Sequence, residues 1–434
     1  MNKKFLTGTI FGLAAAGAAY AVYRTRNASN TGEHADVHGF VSPGFETVRD
    51  AFVENFALRH ELGGACSAYY KGEKVVDLWG GVRNKTTGEP WEEDTMVVVY
   101  STTKGLAAMT MALAHSRGWL DYDERVSTYW PEFAQNGKEN ITVRQLLSHQ
   151  AGLFTLDEKL DRELLSDLDR LAVVLARQKP AWKPGERQAY HAITLGFYES
   201  ELLRRVDPRH RSLGQFFQDE IATPLGLEFY IRVPETIPNS KMAVIDRPGF
   251  AEMLLGFPIQ LTLDTFNSRS NFRLALLGSE LAHDDERIFS RNLEIPSGGG
   301  VGTAGGIAKA YGVFANGGEE LGLRDETLRE LMAPAMPATR GFFDEVIKGE
   351  VAHSLGFMKN SDEMHLGGPT SFGTPGAGGS IGFADPESRL GYAYITNKMG
   401  CVLTGDPRDL ALRDAVYSSI RAIESSPRTF SATA

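Results

Sequence analysis

The chain of 434 residues has too few cysteines for a disulfide framework. Its two cysteines, Cys66 and Cys401, lie far apart and form no Cys-x-x-Cys motif, so their spacing supports no metal site. We expect two small buried side chains, although a pairing stays open if the compartment oxidises thiols. The sequence implies neither a metal ion nor an organic cofactor.

Clusters of lysine and arginine are also lacking, and the formal net charge is −10. Binding to phosphate groups depends on clustered cations, so this balance argues against a nucleic-acid partner and against an anionic membrane surface. Hydrophobic residues make up 42% of the chain and charged residues 23%, as in soluble globular proteins. The length allows one large domain or two interleaved ones.

The amino terminus has a different composition, because residues 5–23 contain no charge. Nineteen residues are enough to cross a hydrocarbon core of about 30 Å. We therefore expect a membrane anchor within residues 1–26, followed by a polar linker over residues 27–41. Signal cleavage with secretion and a mitochondrial presequence are the alternatives. Small residues spaced four apart in this segment leave a homo-oligomer open.

Strand patterns occur near both ends of the chain. Residues 64–70 and 75–81 form a hairpin pattern, and residues 379–384 and 391–396 form a second one around an Asp-Pro-Glu-Ser turn. Helical periodicity precedes the first hairpin and follows the second. The two ends of the chain are therefore expected to share one sheet.

The middle of the chain, about residues 120–350, is mostly helical in pattern. The sequence thus predicts an α/β (α+β) fold. In it, an antiparallel sheet from the N- and C-terminal segments is flanked by helices and carries an inserted, mostly helical domain. We expect this domain to span residues 42–425, with a short tail over residues 426–434.

The stretch over residues 97–106 carries the strongest chemical signal. A β-branched run changes there into an apolar helix, which places Ser101 and Lys104 three residues apart on one helix face. A serine hydroxyl becomes a good nucleophile when a base accepts its proton, and lysine is such a base when it is desolvated. The alternative is a helix-capping serine beside a solvated lysine.

Tyr190 is a second candidate, because a Pro-Gly turn delivers it just before another helix pattern. A phenol has a pKa near 10, so it acts as a base at neutral pH only if a cation such as Lys104 stabilises the phenolate. The alternative is a core aromatic whose hydroxyl is hydrogen-bonded.

A glycine-rich segment over residues 372–380 is the third element. Its glycines allow a substrate to approach the backbone closely, and its amides can face a developing oxyanion. Thr374, Gly376 and Ala377 are the candidate binding residues here. A flexible loop is the alternative.

Together these motifs resemble the serine β-lactamase-like family of penicillin-recognising serine hydrolases. The order is Ser101-x-x-Lys104, a Leu-Leu-x-His-x-x-Gly-Leu run over residues 146–153, Pro-Gly before Tyr190 and the glycine-rich box. The esterase-like branch is most similar, namely family VIII carboxylesterases and animal β-lactamase-domain proteins. Residues 296–303 resemble that branch as well. The likeness covers about residues 43–420.

The resemblance implies a role for each candidate. Ser101 is then the acylated nucleophile, and Lys104 and Tyr190 manage its proton. Backbone amides of Ser101 and Ala377 form the oxyanion hole, beside Gly376 and Thr374 in the binding strand. His149 lies near a helix end, where a structural role is expected.

Two departures from the family pattern affect the expected substrate. The family often has Tyr-x-Asn where this chain has Tyr190-His191-Ala192, and it has Lys or His where this chain has Thr374. The loss of that cation removes a partner for a substrate carboxylate, which argues against efficient penicillin turnover.

We therefore expect a serine hydrolase that acts on a small or lipid-like ester or amide. Its pocket is expected between the sheet and the helical domain, roofed partly by residues 253–277. The alternatives are a catalytically weak membrane-tethered scaffold and, less favoured, a β-lactamase or D-alanyl peptidase. Ser380 lies in a Gly-x-Ser-x-Gly sequence, but a strand and hairpin follow it instead of the helix that a lipase elbow requires.

Overall fold

The computed structural model describes residues 36–249, 252, 256–276, 293–402 and 404–425. The predicted anchor over residues 1–26 and the tail over residues 426–434 lie outside the described residues, as does most of the linker. In the described part of the chain, no helix has both the length and the apolar character needed to cross a bilayer.

The strands follow the chain in this order: β1 Val37–Val41, β2 Gly63–Tyr70, β3 Glu73–Gly81, β4 Val97–Val98, β5 Phe229–Tyr230, β6 Val301–Gly302, β7 His353–Ser354, β8 Phe357–Lys359, β9 Phe372–Pro375, β10 Ile381–Asp385 and β11 Leu390–Thr396.

The α-helices are α1 Glu46–Leu58, α2 Thr102–Ser116, α3 Val126–Tyr129, α4 Val143–Leu147, α5 Arg162–Ser166, α6 Leu168–Arg177, α7 Leu195–Val206, α8 Leu213–Phe217, α9 Thr223–Leu225, α10 Ile259–Phe266, α11 Asn271–Leu276, α12 Ala304–Ala315, α13 Asp325–Met332 and α14 Pro407–Ser425.

One antiparallel sheet joins the two ends of the chain, as predicted. Its strand order is β1-β3-β2-β11-β10-β9-β8-β7, so the first three strands pair directly with the last five. The junction is the β2–β11 pair, in which Gly64 lies opposite Thr396 and Tyr70 opposite Leu390. The sheet needs strands from both ends of the chain. It can therefore be completed only after the middle of the chain has been synthesised.

Helices cover both faces of this sheet. α12 packs on β2, β10 and β11, while α14 packs on α1, which contacts β1 and β3. The close approach of α12 requires a glycine, since a Cβ at Gly312 would stand 2.9 Å from Tyr69 Cβ. Burial on both faces explains why every residue of β11 is buried.

The middle of the chain is mostly helical, and it also contains short strands that the sequence patterns did not indicate. β5 and β6 pair with β4 in a small sheet of order β4-β6-β5. β4 leads directly into α2, all of whose residues are buried. A helix that is apolar on all sides belongs in the interior, so the polar side chains on α2 lie in a strongly desolvating environment.

The two cysteines are free. Cys66 is buried in β2, as predicted, whereas Cys401 is partly exposed.

A buried arginine connects α14 to the glycine-rich turn between β9 and β10. Arg408 Nη1 lies 3.2 Å from Glu61 Oε1, and Nη2 donates to Asp406 Oδ2 at 2.7 Å and to the Gly378 carbonyl at 3.1 Å. The guanidinium therefore pairs with two carboxylates and fixes the turn that contains Ala377.

We predict that Arg408→Ala lowers the free energy of unfolding by roughly 3–5 kcal/mol, because Glu61 and Asp406 then stay buried without their cation. Denaturant unfolding at neutral pH measures this change. The matched control is Arg421→Ala on the same helix, whose exposed side chain bonds only Ser418 among the described residues. It should change the free energy of unfolding by less than about 0.5 kcal/mol. Equal effects of the two variants would contradict the prediction.

Candidate active site

A strained turn presents Ser101 at the start of α2. Tyr100 has φ 45°, in the left-handed region, and Ser101 occupies the N-cap position. Thr103 fixes the turn, because its hydroxyl donates to the Tyr100 carbonyl at 2.5 Å and accepts from the Gly300 N–H at 2.9 Å. A non-glycine residue in this conformation persists only where its surroundings enforce it, commonly at functional sites.

Lys104 is almost fully buried, and three oxygen atoms surround its amine. Nζ lies 3.3 Å from Ser101 Oγ and donates to the Ala192 carbonyl at 2.7 Å and the Ser297 carbonyl at 2.8 Å. A neutral amine uses its two N–H groups on the carbonyls and turns its lone pair towards the serine hydroxyl. An ammonium donates to all three oxygens. The site therefore accommodates both protonation states without rearrangement.

Burial also changes the proton affinity of this amine. Desolvation lowers the pKa of Lys104 from 10.5 to about 7, against a smaller opposing effect of the Glu199 carboxylate. A substantial fraction of Lys104 is thus neutral near pH 7. This is the protonation state that a general base for Ser101 requires.

Tyr190 lies beside both residues. Lys104 Nζ stands 4.6 Å from the centre of its ring, and the Ser101 side chain lies close enough to its hydroxyl to affect the pKa of the phenol. Burial raises the pKa of Tyr190, against the lowering effect of the Ser101 side chain. The phenol therefore stays protonated near neutral pH. This geometry favours Lys104 as the base and Tyr190 as a neutral partner that passes a proton.

Asp344 fixes the backbone at Tyr190 through a hydrogen bond. Its Oδ1 accepts the Tyr190 N–H at 3.1 Å and the N–H groups of Val346 and Ile347 at 2.9 Å each, while its Oδ2 lies 3.1 Å from His353 Nε2. The ring of His353 stacks on the Tyr190 ring, with centroids 5.7 Å apart. Burial alone would raise the pKa of Asp344, but the His353 and backbone hydrogen bonds hold it below its ordinary value.

His149 and His191 support the same loop. The His191 N–H donates to His149 Nδ1 at 2.9 Å, and His191 Nε2 accepts the Leu153 N–H at 3.0 Å. Burial lowers the pKa of His191 to about 4 and that of His149 well below its usual value, so both rings are neutral at pH 7. Their bonds to the backbone agree with a structural role for His149.

The lysine is held here by backbone carbonyls. Ala192 stands where the family often has asparagine, and its carbonyl accepts from Lys104. The second carbonyl belongs to Ser297, whose hydroxyl also accepts the Gly196 N–H at 2.7 Å. In the sequence, residues 296–303 show only a family resemblance, and no motif there assigns a role to Ser297.

The glycine-rich turn packs directly on the nucleophile turn. A Cβ at Gly376 would stand 3.2 Å from Thr102 N and would collide with the Val99 carbonyl, so this close contact needs glycine. Ala377 is exposed at the tip of the turn. Among the described residues, neither the Ala377 N–H nor the Ser101 N–H has a hydrogen-bond acceptor. Both are therefore available to an oxyanion.

Thr374 is buried, and its hydroxyl points into the core. A Cβ at Gly105 would stand 3.2 Å from Thr374 Oγ1 and would collide with the Tyr311 hydroxyl, so both groups lie against α2. Its predicted part in substrate binding remains a prediction. Ser380 is also buried, in a turn that leads into β10, which agrees with the rejection of a lipase elbow.

Part of the predicted roof lies within the described residues, which include 256–276 but not 253–255 or 277. Ala275 of α11 belongs to the same apolar cluster as Tyr190 and Phe154. Trp182 and Phe272 pack on this cluster with partly exposed side chains. The surface beside the candidate site is thus apolar.

Comparison with known proteins gives a family match over most of the chain. The Beta-lactamase family profile matches residues 48–416. The esterase/beta-lactamase LipL of Mycobacterium tuberculosis is 33% identical over 370 residues, which are 84% of this chain and 83% of LipL.

Solved structures give the same result. A family VIII carboxylesterase superposes with a TM-score of 0.77 at 36% identity, over 88% of this chain and 100% of that chain. A penicillin-binding protein homolog from Caulobacter crescentus superposes with a TM-score of 0.76 at 32% identity, over the same shares of the two chains.

We predict that the wild-type protein gains stability relative to Lys104→Met as the pH rises from 7 to 10.5. Because burial lowers the pKa of Lys104 to about 7, the unfolded chain binds more protons than the folded one in this window. The relative gain should be roughly 3–5 kcal/mol, measured by urea unfolding at several pH values. The control is Lys183→Met at an exposed lysine, which should show no such trend. A constant difference between wild type and Lys104→Met would contradict the lowered pKa.

Proposed function

Because this chain belongs to the Beta-lactamase family, we propose that it is a carboxylesterase that forms an acyl-enzyme at Ser101. The esterase relative and the carboxylesterase structure support a serine hydrolase. The observation that carries the proposal is that Ser101 Oγ lies 3.3 Å from Lys104 Nζ and that Tyr190, from a distant part of the chain, lies beside both side chains.

In the first half-reaction, Ser101 Oγ attacks the ester carbonyl carbon while its proton moves to Lys104 Nζ. The carbonyl oxygen becomes an oxyanion that the N–H groups of Ser101 and Ala377 stabilise. The tetrahedral intermediate then expels the alcohol oxygen, which takes the proton from Lys104 by way of Tyr190. Ser101 is left acylated.

In the second half-reaction, a water molecule attacks the acyl carbon and gives its proton to the same amine. The carboxylic acid leaves, and Ser101 Oγ recovers its proton. Lys104 suits both halves, because its surroundings satisfy the amine and the ammonium equally well.

An uncharged ester fits this site better than a penicillin. Thr374 directs a hydroxyl into the core where penicillin-active members are expected to place a cation, so a substrate carboxylate lacks that partner. The nearby surface that includes Trp182 and Phe272 is apolar, which suits an alkyl or acyl group. We therefore propose a small or lipid-like ester as substrate.

We also propose that an N-terminal segment attaches the protein to a membrane. It rests on the uncharged stretch over residues 5–23, which lies outside the described residues.

The test uses the full-length chain, a fluorophosphonate probe and short-chain p-nitrophenyl esters. Ser101→Ala should lose labelling and lower kcat/KM by roughly 10³-fold or more, because the nucleophile is removed. Ser380→Ala is the control, and it should keep both properties. Labelling that depends on Ser380 would refute the assignment of the nucleophile.

Wild-type turnover no faster than that of Ser101→Ala would favour the scaffold alternative. A long-lived adduct with fluorescent penicillin in the absence of ester turnover would favour a penicillin-recognising enzyme.

A further inference from the structure

The segment over residues 338–353 runs along the loop that carries Tyr190. The Glu345 N–H donates to the Gln188 carbonyl at 3.1 Å, and Gln188 Nε2 donates to the Val351 carbonyl at 2.6 Å. These bonds join stretches that lie far apart in the sequence. The backbone that leads into Tyr190 is therefore held by this segment.

The same segment carries a buried carboxylate–imidazole pair, Asp344 and His353. A carboxylate only accepts hydrogen bonds, so the 3.1 Å contact between Asp344 Oδ2 and His353 Nε2 places a hydrogen on Nε2. The other oxygen, Oδ1, accepts the Tyr190 N–H at 3.1 Å. One carboxylate therefore connects the backbone of the tyrosine to the imidazole.

The imidazole lies against the phenol ring. The ring planes of His353 and Tyr190 are within 9° of parallel, with centroids 5.7 Å apart. His149 packs on both rings, with its centroid 5.1 Å from that of Tyr190 and 4.3 Å from that of His353. Asp344 thus acts on the tyrosine at its backbone directly and at its ring through His353. Together these contacts restrict the side-chain torsions of Tyr190.

One atom of the pair lacks a partner. His353 Nδ1 is buried and has no hydrogen-bond partner among the described residues. Such an atom costs stability, and an apolar side chain of similar shape would avoid that cost. Departures of this kind are expected where a residue serves a functional site.

We propose that Asp344 and His353 are positioning residues that hold the Tyr190 ring, so that its hydroxyl can pass a proton to the leaving alcohol. The inference rests on the proposed function, in which Tyr190 carries that proton. As the bond between the acyl carbon and the alcohol oxygen breaks, the Tyr190 O–H gives its hydrogen to this oxygen. Lys104 Nζ gives a proton to the phenol oxygen, so the ammonium becomes an amine and the alkoxide an alcohol.

The need for this proton depends on the alcohol that leaves. The alkoxide of an alkyl ester is a strong base and requires protonation as it departs, whereas p-nitrophenolate leaves as a stable anion. A displaced phenol should therefore slow alkyl esters much more than p-nitrophenyl esters with the same acyl group. A general loss of folded protein would lower both rates by the same factor.

Two substitutions remove different parts of the arrangement. Asp344→Asn keeps an oxygen for the Tyr190 N–H, but its amide group cannot accept from His353 Nε2. His353→Gln removes the stacked ring and keeps a donor for the carboxylate, so the buried charge stays satisfied and folding is favoured.

The matched control is His115→Gln, at another buried histidine that stacks on a tyrosine. The His115 and Tyr122 ring centroids are 4.2 Å apart, and His115 Nδ1 lies 2.8 Å from Thr327 Oγ1. His115 lies near the end of α2, roughly 16 Å along the helix from Lys104. It should therefore affect stability without affecting the leaving group.

The first measurement compares kcat/KM of the full-length variants for an alkyl ester and a p-nitrophenyl ester of one acyl chain. In Asp344→Asn and His353→Gln, the value for the alkyl ester should fall about 10- to 100-fold, and that for the p-nitrophenyl ester less than about 3-fold. His115→Gln should leave the ratio of the two values unchanged. Equal losses on the two esters in the folded Asp344 and His353 variants would overturn the proposal.

A double-mutant cycle tests whether the pair acts through the phenol. Tyr190→Phe removes the hydroxyl, and it should lower the ratio of alkyl to p-nitrophenyl turnover by itself. In that background, His353→Gln should not change the ratio further, because the group that it positions is gone. A further loss of the same size as in the wild-type background would overturn the proposal.

The second measurement is an NMR spectrum of tyrosine labelled with ¹³C at the hydroxyl-bearing carbon, in which Tyr190→Phe assigns the Tyr190 signal. In Asp344→Asn and His353→Gln, this signal should broaden or split, because the phenol samples more than one position. It should stay as in the wild type in His115→Gln. An unchanged Tyr190 signal in both folded variants would overturn the proposal.

The two measurements separate this inference from the proposed function. If the wild type hydrolyses no ester but the Tyr190 signal broadens in the variants, the proposed function fails and the hold on the phenol stands. If Ser101-dependent turnover is present but neither the ester ratio nor the Tyr190 signal changes, the positioning role fails and the proposed function stands.

Discussion

The candidate site depends on the burial of one amine inside an apolar helix. Lys104 lies on α2, whose residues are all buried, and Nζ is held by the carbonyls of Ala192 and Ser297 beside Ser101 Oγ. Desolvation keeps a substantial fraction of the lysine neutral near pH 7, and the two carbonyls direct the lone pair of the neutral amine at the serine. The strained Tyr100 turn and the loop around Tyr190 serve to place their groups against this amine.

Each of the two departures from the family pattern has its own physical explanation. Where an asparagine side chain is missing, the backbone carbonyl of Ala192 holds the lysine, so the base is kept without a side-chain amide. Where a cation is missing, the Thr374 hydroxyl turns into the core. Under the proposed function, the proton acceptor beside Ser101 is retained, while a cationic partner for an anionic substrate is absent, and this combination suits esters.

The strands near the two ends of the chain and the Ser101–Lys104 pair could be predicted from local sequence patterns. The sequence places the terminal strands within about two residues of β2, β3, β10 and β11, and it predicts their assembly into one antiparallel sheet. Alternating apolar and polar residues and runs of β-branched residues indicate a strand with a buried face. These patterns lie within a few consecutive residues, so the sequence alone shows them. The short strands β5 and β6 were not indicated, since two residues are too few to show a period.

The sequence by itself determined the helix that carries Ser101 and Lys104, because a spacing of three on a helix fixes two side chains on one face. Only the tertiary structure decided what surrounds them. Asp344, His353 and Ser297 have no motif of their own, and they reach the site through packing between distant segments. Local periodicity encodes which face of an element is buried, whereas the partner of a buried polar group depends on how the elements pack.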